Sequence, residues 1–360
     1  MLMNDFLLQL VKVALGNANC LSNPLDGRDW DNLYEEAERQ SLVGVCFVGI
    51  QRLPKEQLPG IERLMEWMGQ AERIRSRNMV LDNQTSIAWK KLDDAGLKAT
   101  ILKGQGIARL YDNDLVCYRC PGDIDIWVKG GFDVVNEFVQ KTIPTDDFAY
   151  HRFHYNLFEN TEVELHHRPT LMRNLFDNKK LQNWCDSFSF DSFEMLNDGF
   201  TVPSIAFNRI FILTHIYRHF LFEGIGLRQI MDYYFVLKNQ EISDVEKNKT
   251  MSLFAQFRME QFVAAMMWVL SVCLGLDGKY LLCKPNEKEG RFILSEIIQT
   301  GNFGHGETRY EGYSTFMRMT KHGLHLLRHY PSEVIWTPVW LVYHRMWRWN
   351  KKRSLMTDFI

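Results

Sequence analysis

The sequence has no uncharged apolar run of about 18 residues or more, the length a membrane-spanning helix needs, so no transmembrane segment is expected. The nearest approach, 261–276, is bounded by Glu260 and Asp277 and contains Gln261, Ser271 and Gly275, which suits a buried helix. Net charge is also almost absent: 42 Lys and Arg against 44 Asp and Glu leave a formal −2. A general polyanion binder needs a basic domain, so nucleic acid is not an expected partner, nor is a membrane. Cysteine is sparse and scattered, with seven residues in odd number, a pattern of a reducing cytoplasm and not of a disulfide framework. Cys117 and Cys120 form a C-x-x-C without the second ligand pair of a structural zinc site, and His151, His154, His166 and His167 do not supply that spacing. The first twenty residues lack a positive n-region, carrying Asp5 and Lys12 instead, and are expected to form an amphipathic helix, not a secretion signal. No internal repeat or low-complexity linker is found.

What is present is a helix-rich chain heavy in aromatics, with ten Trp and 24 Phe. Apolar spacing and start signals predict helices over 28–40 and 43–53, and one long helix or two in tandem over 61–94. The pattern changes at Gly96. Residues 97–102 read as a strand, 104–111 as a short helix, 123–128 as a second strand, 132–140 as a helix, and 150–158 with 162–167 as a hairpin turning at Asn160-Thr161. Beyond Arg168 helices return over 171–184, 205–222, 226–238, 243–258, 260–275, 287–299, 313–329 and 332–350, with a short hairpin over 188–202 and a kink expected at Pro338. The fold class expected is α+β, a small mixed sheet over 96–202 flanked by helical regions over 1–95 and 203–360.

The sharpest chemical signal lies in Gly122-Asp123-Ile124-Asp125-Ile126-Trp127-Val128. Alternation puts Asp123 and Asp125 on one face of a strand, where like charges repel and aspartate is a poor strand former. A hard divalent cation such as Mg²⁺, which is held by one or two carboxylates together with substrate phosphates, removes that conflict. The bland alternative is an exposed edge with two solvated acids. Lys103 and Gly104 come at a strand end before a helix, where free N–H groups and the helix dipole favour phosphate; the alternative for Lys103 is a solvated loop lysine. Arg119 offers either a fork of donors to phosphate or an ion pair that clamps its loop onto Asp123. Glu164 shares a strand face with Glu162 and His166, so an acidic and imidazole row could face the aspartates across the sheet. Arg228 and Asp232, four apart on a helix, read as a surface pair, with the alternative that Arg228 meets phosphate if that helix closes over the cleft. The glycine-rich stretch 302–306 follows no strand and is a poor phosphate cradle.

Together, Leu102-Lys103-Gly104, Arg119 through Asp125, and Glu164-Leu165-His166 resemble the polymerase-β-like nucleotidyltransferase superfamily, and in particular a bacterial family of uncharacterised nucleotidyltransferases. The resemblance covers roughly 97–170 and extends weakly to 227–232. It departs in that Gly104-Gln105-Gly106 stands where the superfamily usually has Gly-Gly or Gly-Ser, and in that the third acid is Glu. It implies that Asp123, Asp125 and Glu164 hold Mg²⁺, two ions or alternatively Mn²⁺, and carry catalysis, Glu164 either binding the second ion or accepting the acceptor's proton. It implies further that Lys103, Gly104, Arg119 and His166 contact the nucleotide. The activity expected is transfer of a nucleoside monophosphate from an NTP, such as ATP, to a small-molecule or protein acceptor, with release of pyrophosphate. The rival expectation is a non-catalytic nucleotide-binding or scaffold protein of the same fold; a phosphotransferase using the same ions is a third.

Overall fold

The computed structural model describes residues 3–304 and 306–357. Four helices lead: α1 (Met3–Ala14), α2 (Gly27–Arg39), α3 (Val43–Arg52) and α4 (Ile61–Asp94). The residues of α4 form one unbroken helix of 34, about 51 Å at 1.5 Å per residue. It begins after Pro54, Pro59 and Gly60 and stops where Gly96 takes φ +74°. The mixed region follows: β1 (Ala99–Ile101), α5 (Gln105–Ala108), β2 (Ile124–Val128), α6 (Gly131–Thr142), β3 (Arg152–His154), β4 (Val163–His166), α7 (Leu175–Asp186), β5 (Glu194–Met195) and β6 (Thr201–Val202). Helices α8 (Ile205–Phe222), α9 (Leu227–Lys238), α10 (Asp244–Gln256), α11 (Glu260–Leu274), α12 (Glu287–Thr300), α13 (Thr315–Leu326) and α14 (Pro331–Thr357) complete the chain. Among the described residues no helix is long and apolar enough to cross a membrane.

The four-stranded sheet has the order β1-β2-β4-β3, and β5 pairs with β6 as a separate two-stranded ribbon. β1 and β3 run antiparallel to their neighbours, whereas β2 and β4 are parallel. The α+β class expected from the sequence is therefore observed. The central strand is buried along its whole length. On one face Ile124, Ile126, Val128, Val163, Leu165 and Phe153 pack against Val135 and Val139 of α6 and Leu81, Trp89 and Leu92 of α4. Burial of each such side chain contributes roughly 1.5–3 kcal/mol, so this face fixes the strand whose other face carries charge. That other face holds Trp127, stacked on Phe207 of α8 with ring centres 5.5 Å apart.

Several boundaries differ from expectation. The acidic strand starts at Ile124, leaving Asp123 just ahead of it. The short helix after β1 is a single turn, entered through Gly104 and ending at Ala108. Helix α7 begins at Leu175 and not at 171, since Asn174 caps it by accepting from the Phe176 and Asp177 amides. Helix α14 runs on through Pro338, as the single helix expected over 332–350 does.

Candidate active site

Strand register builds the site. Asp125 lies directly opposite Glu164 across the parallel β2–β4 pair, and Trp127 opposite His166. On the other side of β4, Glu164 faces His154 and His166 faces Arg152. Alternation sends Ile124 and Ile126 into the apolar face and Asp125, Glu164 and His166 to the opposite one. Two buried carboxylates on neighbouring strands repel, and three cations answer them. Lys103 Nζ and His166 Nε2 each lie 2.8 Å from Asp125 Oδ1. Arg152 pairs with Glu164 Oε1, and His166 Nε2 is 3.3 Å from Glu164 Oε2, which accepts no hydrogen bond.

These contacts set the charge states. Burial works to raise both carboxyls, but Lys103 and the hydrogen bond from His166 hold Asp125 below its ordinary value, and His166 holds Glu164 down at about 2. Burial likewise opposes charge on His166 and Lys103. The hydrogen bond to Asp125 and the neighbouring Glu164 carboxylate nevertheless raise His166, and the charges of Asp125, Asp123 and Glu164 raise Lys103. The cluster is a buried network in which two carboxylates are held by Lys103, Arg152 and His166.

Lys103 is thus neither a solvated loop lysine nor extended toward open solvent; its side chain reaches back under the sheet edge to Asp125. The following residue must be glycine. Gly104 has φ +53° and ψ −114°, and a β-carbon there would come within 3.3 Å of the Asp123 carbonyl oxygen. With only one helical turn after it, the expected anion-binding helix N-terminus is reduced to that turn.

Arg119 does not clamp its loop onto Asp123. It makes a two-pronged pair with Asp232 of α9, Nε to Oδ1 at 2.7 Å and Nη2 to Oδ2 at 2.8 Å, and the Tyr111 hydroxyl donates to the same Oδ1 at 2.8 Å. Arg228 and Asp232, expected as a surface pair, are both buried and each reaches the loop separately; Arg228 Nη1 donates to the Cys120 carbonyl at 3.1 Å. From the other side Asn78 Nδ2 of α4 donates to the carbonyls of Cys117 and Arg119, both at 2.8 Å. The loop that delivers Gly122 and Asp123 is therefore held between α4 and α9. Asp123 itself is half-buried and has no ion pair among the described residues.

A cavity of about 450 Å³ opens above this face, with Lys103, Asp125, Glu164 and His166 on its floor, the half-buried Asp123 at its rim, and Gly104 and Arg119 in its wall. The structure brings together every residue expected at the site. Two groups have donor atoms within 4.8 Å of one another: Asp125, Glu164 and His166, and His154, Glu162 and Glu164. Asp123 joins neither, standing at the rim.

The opposite wall is what the sequence did not disclose. His215, Arg218 and His219 of α8 and Glu223 at its C-cap form a polar ridge: His215, His219 and Glu223 are four apart and Arg218 is three past His215, which puts them on one face. That ridge was the available signal. Arg218 Nη1 is 2.9 Å from His151 Nε2 and its Nη2 2.8 Å from His219 Nε2. Burial and the Arg218 charge push His151 well below its ordinary value and His219 down to about 4, so both rings are neutral acceptors. Asn302 and Phe303, in the stretch dismissed as a phosphate cradle, line the cavity mouth.

A family model described as uncharacterised nucleotidyltransferase matches residues 26–275, well over half of the chain. Comparison with curated proteins finds no match, and comparison with solved structures finds none.

Proposed function

The chain belongs to the family of uncharacterised nucleotidyltransferases, and from that membership we propose that it moves a nucleoside monophosphate from an NTP to a small-molecule or protein acceptor, with pyrophosphate leaving. One observation carries the reading. Asp125, Glu164 and His166 converge by strand register on the floor of a cavity, with Asp123 at its rim. An apolar-faced strand has no structural need of such a buried acidic row.

The donor set fits a divalent cation: carboxylate oxygens from Asp123, Asp125 and Glu164, with Glu164 Oε2 buried and accepting no hydrogen bond. Hard oxygen ligands favour Mg²⁺, with two ions in this reading and Mn²⁺ as an alternative, whereas the nitrogen of His166 does not. A bound ion supplies positive charge to the transferring phosphoryl group and acidifies an acceptor hydroxyl. Lys103 and Arg152 neutralise Asp125 and Glu164 without it, which keeps the carboxylates ionised and in place. His166, held between the two, orients Asp125. In this reading Glu164 either holds the second ion or accepts the acceptor's proton. Gly104 allows the backbone to pass close to Asp123. Arg119 positions the loop through Asp232.

The test is incubation of the purified chain with Mg²⁺ and each α-labelled NTP in the presence of a cell extract. Label appearing in an acceptor, with pyrophosphate released in equal amount, supports the reading. Nucleotide binding without either product would favour the non-catalytic alternative, and release of a labelled nucleoside diphosphate would indicate phosphotransfer.

A further inference from the structure

We propose that Arg218 of α8 and Arg228 of α9 form a polyphosphate clamp that takes the triphosphate of the donor nucleotide from the helical side of the cavity; this rests on the nucleotidyltransferase reading above. The other cations of the cavity are already engaged. Lys103 is paired with Asp125, Arg119 with Asp232, and Arg152 with Glu164. Arg218 and Arg228 line the same cavity and differ from them. Among the described residues neither has a carboxylate within ion-pair distance.

Both are more than nine-tenths buried, Arg218 at 9% exposure and Arg228 at 8%. Arg218 donates to two imidazole nitrogens, those of His151 and His219, and Arg228 to one backbone carbonyl. In each the Nε–H is buried with no hydrogen-bond partner. A buried guanidinium with no carboxylate in ion-pair contact is unfavourable, and Glu223, which acts on Arg218 only at a distance, is already paired with His219. An anion entering the cavity supplies the missing charge and the missing acceptors, and the forked guanidinium matches phosphate oxygens.

Their placement selects the polyphosphate. Arg228 Nη1 lies 3.3 Å from where a β-carbon on Gly122 would sit, against the backbone that leads into Asp123. Arg218 stands at the other flank of the acidic row, beside His151, whose ring centre is 5.4 Å from that of His166. The two guanidiniums bracket the carboxylates, so a ligand that meets both must carry more than one phosphate.

The test is calorimetric titration of the full-length chain with inorganic tripolyphosphate, ATP, AMP and inorganic phosphate, in EDTA so that no divalent ion contributes. Wild type is expected to bind tripolyphosphate and ATP and to bind AMP and phosphate much more weakly. Arg218→Gln and Arg228→Gln are each expected to weaken tripolyphosphate and ATP about tenfold or more, equivalent to ~1.4 kcal/mol. Arg228→Lys should recover part of the loss. Melting curves identify any variant that fails to fold, and the wild-type arm stands without the variants. No tripolyphosphate binding by wild type, equal binding of AMP and tripolyphosphate, or unchanged binding in both folded variants would overturn the proposal. The two readings separate. Tripolyphosphate binding lost in the variants, with no labelled transfer by wild type, leaves the clamp standing and removes the transferase reading. Transfer with variants that bind like wild type does the reverse.

Discussion

Replacing Asp232 by alanine removes the partner of a cation that is only 4% exposed. The Arg119 guanidinium loses both charge-assisted hydrogen bonds, and the buried Tyr111 hydroxyl loses its acceptor. Removing one partner of a buried ion pair leaves an uncompensated charge and typically costs ~3–5 kcal/mol. The Tyr111 hydroxyl brings the expectation for Asp232→Ala to the upper end of that range, since a stranded buried polar group costs about 1–3 kcal/mol by itself. Arg119→Met strands Asp232 instead and should be similarly costly. The double variant Arg119→Met/Asp232→Leu removes both charges and fills the space with apolar atoms. It is expected to be more stable than either single variant, because apolar replacement of a whole buried pair is often neutral. Urea unfolding followed by circular dichroism measures the cycle, with the midpoint moving and the slope unchanged. A loss of less than about 1 kcal/mol for Asp232→Ala, the range of an exposed pair, would refute the reasoning. So would a double variant whose loss equals the sum of the singles.

Gly104→Ala forces a side chain into a backbone conformation at φ +53° and against the Asp123 carbonyl. A stability loss of about 1–3 kcal/mol is expected, together with weaker nucleotide binding; an unchanged melting curve would remove the requirement for glycine there. EDTA is expected to abolish transfer and Mg²⁺ to restore it, read as release of pyrophosphate; full activity in the chelator would exclude carboxylate-held metal from the reaction. Far from the site, Glu333 accepts from the amides of Arg173 and Asn174, yet burial dominates and raises its carboxyl from 4.5 to about 7. A raised folded value means the folded state holds the proton more tightly. Its contribution is therefore full below about pH 4.5 and is lost as pH rises through about 7. The span is on the order of 3 kcal/mol. Melting temperature should fall between pH 5 and pH 8, and Glu333→Gln should flatten that fall; an identical slope in the variant would contradict it.

The parts of the fold that were legible rest on local signals. Alternation marked β2 and β4, Pro54, Gly60 and Gly96 bounded α4, and the α8–α9 pair followed from apolar spacing. Local signals also brought the acidic row into view, because Asp125, Glu164 and His166 sit on strands whose faces can be read from a period of two. What escaped were contacts between residues far apart in sequence. Arg119 and Asp232 are separated by 113 positions, and nothing near either residue names the other. Arg228 and Asp232 looked like a surface pair because spacing within a helix says which residues share a face, but not what that face meets. The α8 ridge was hidden for a different reason: a histidine or arginine on an apolar helix carries no signal alone, and only their common face gives them meaning. The pairing of Lys103 with Asp125 was not legible, because whether its long stem turns back depends on the sheet being present.

The most direct measurement of the transfer chemistry is the α-labelled NTP assay repeated with Asp125→Asn and Asp123→Asn. Both changes keep side-chain size, and folding is checked by melting. Asp125 is buried between Lys103 and His166 and Asp123 stands at the cavity rim. Both variants should fold and neither should transfer label, while wild type does so with release of pyrophosphate. Wild-type rates from a folded Asp125→Asn or Asp123→Asn variant would contradict the assignment of these carboxylates to the reaction.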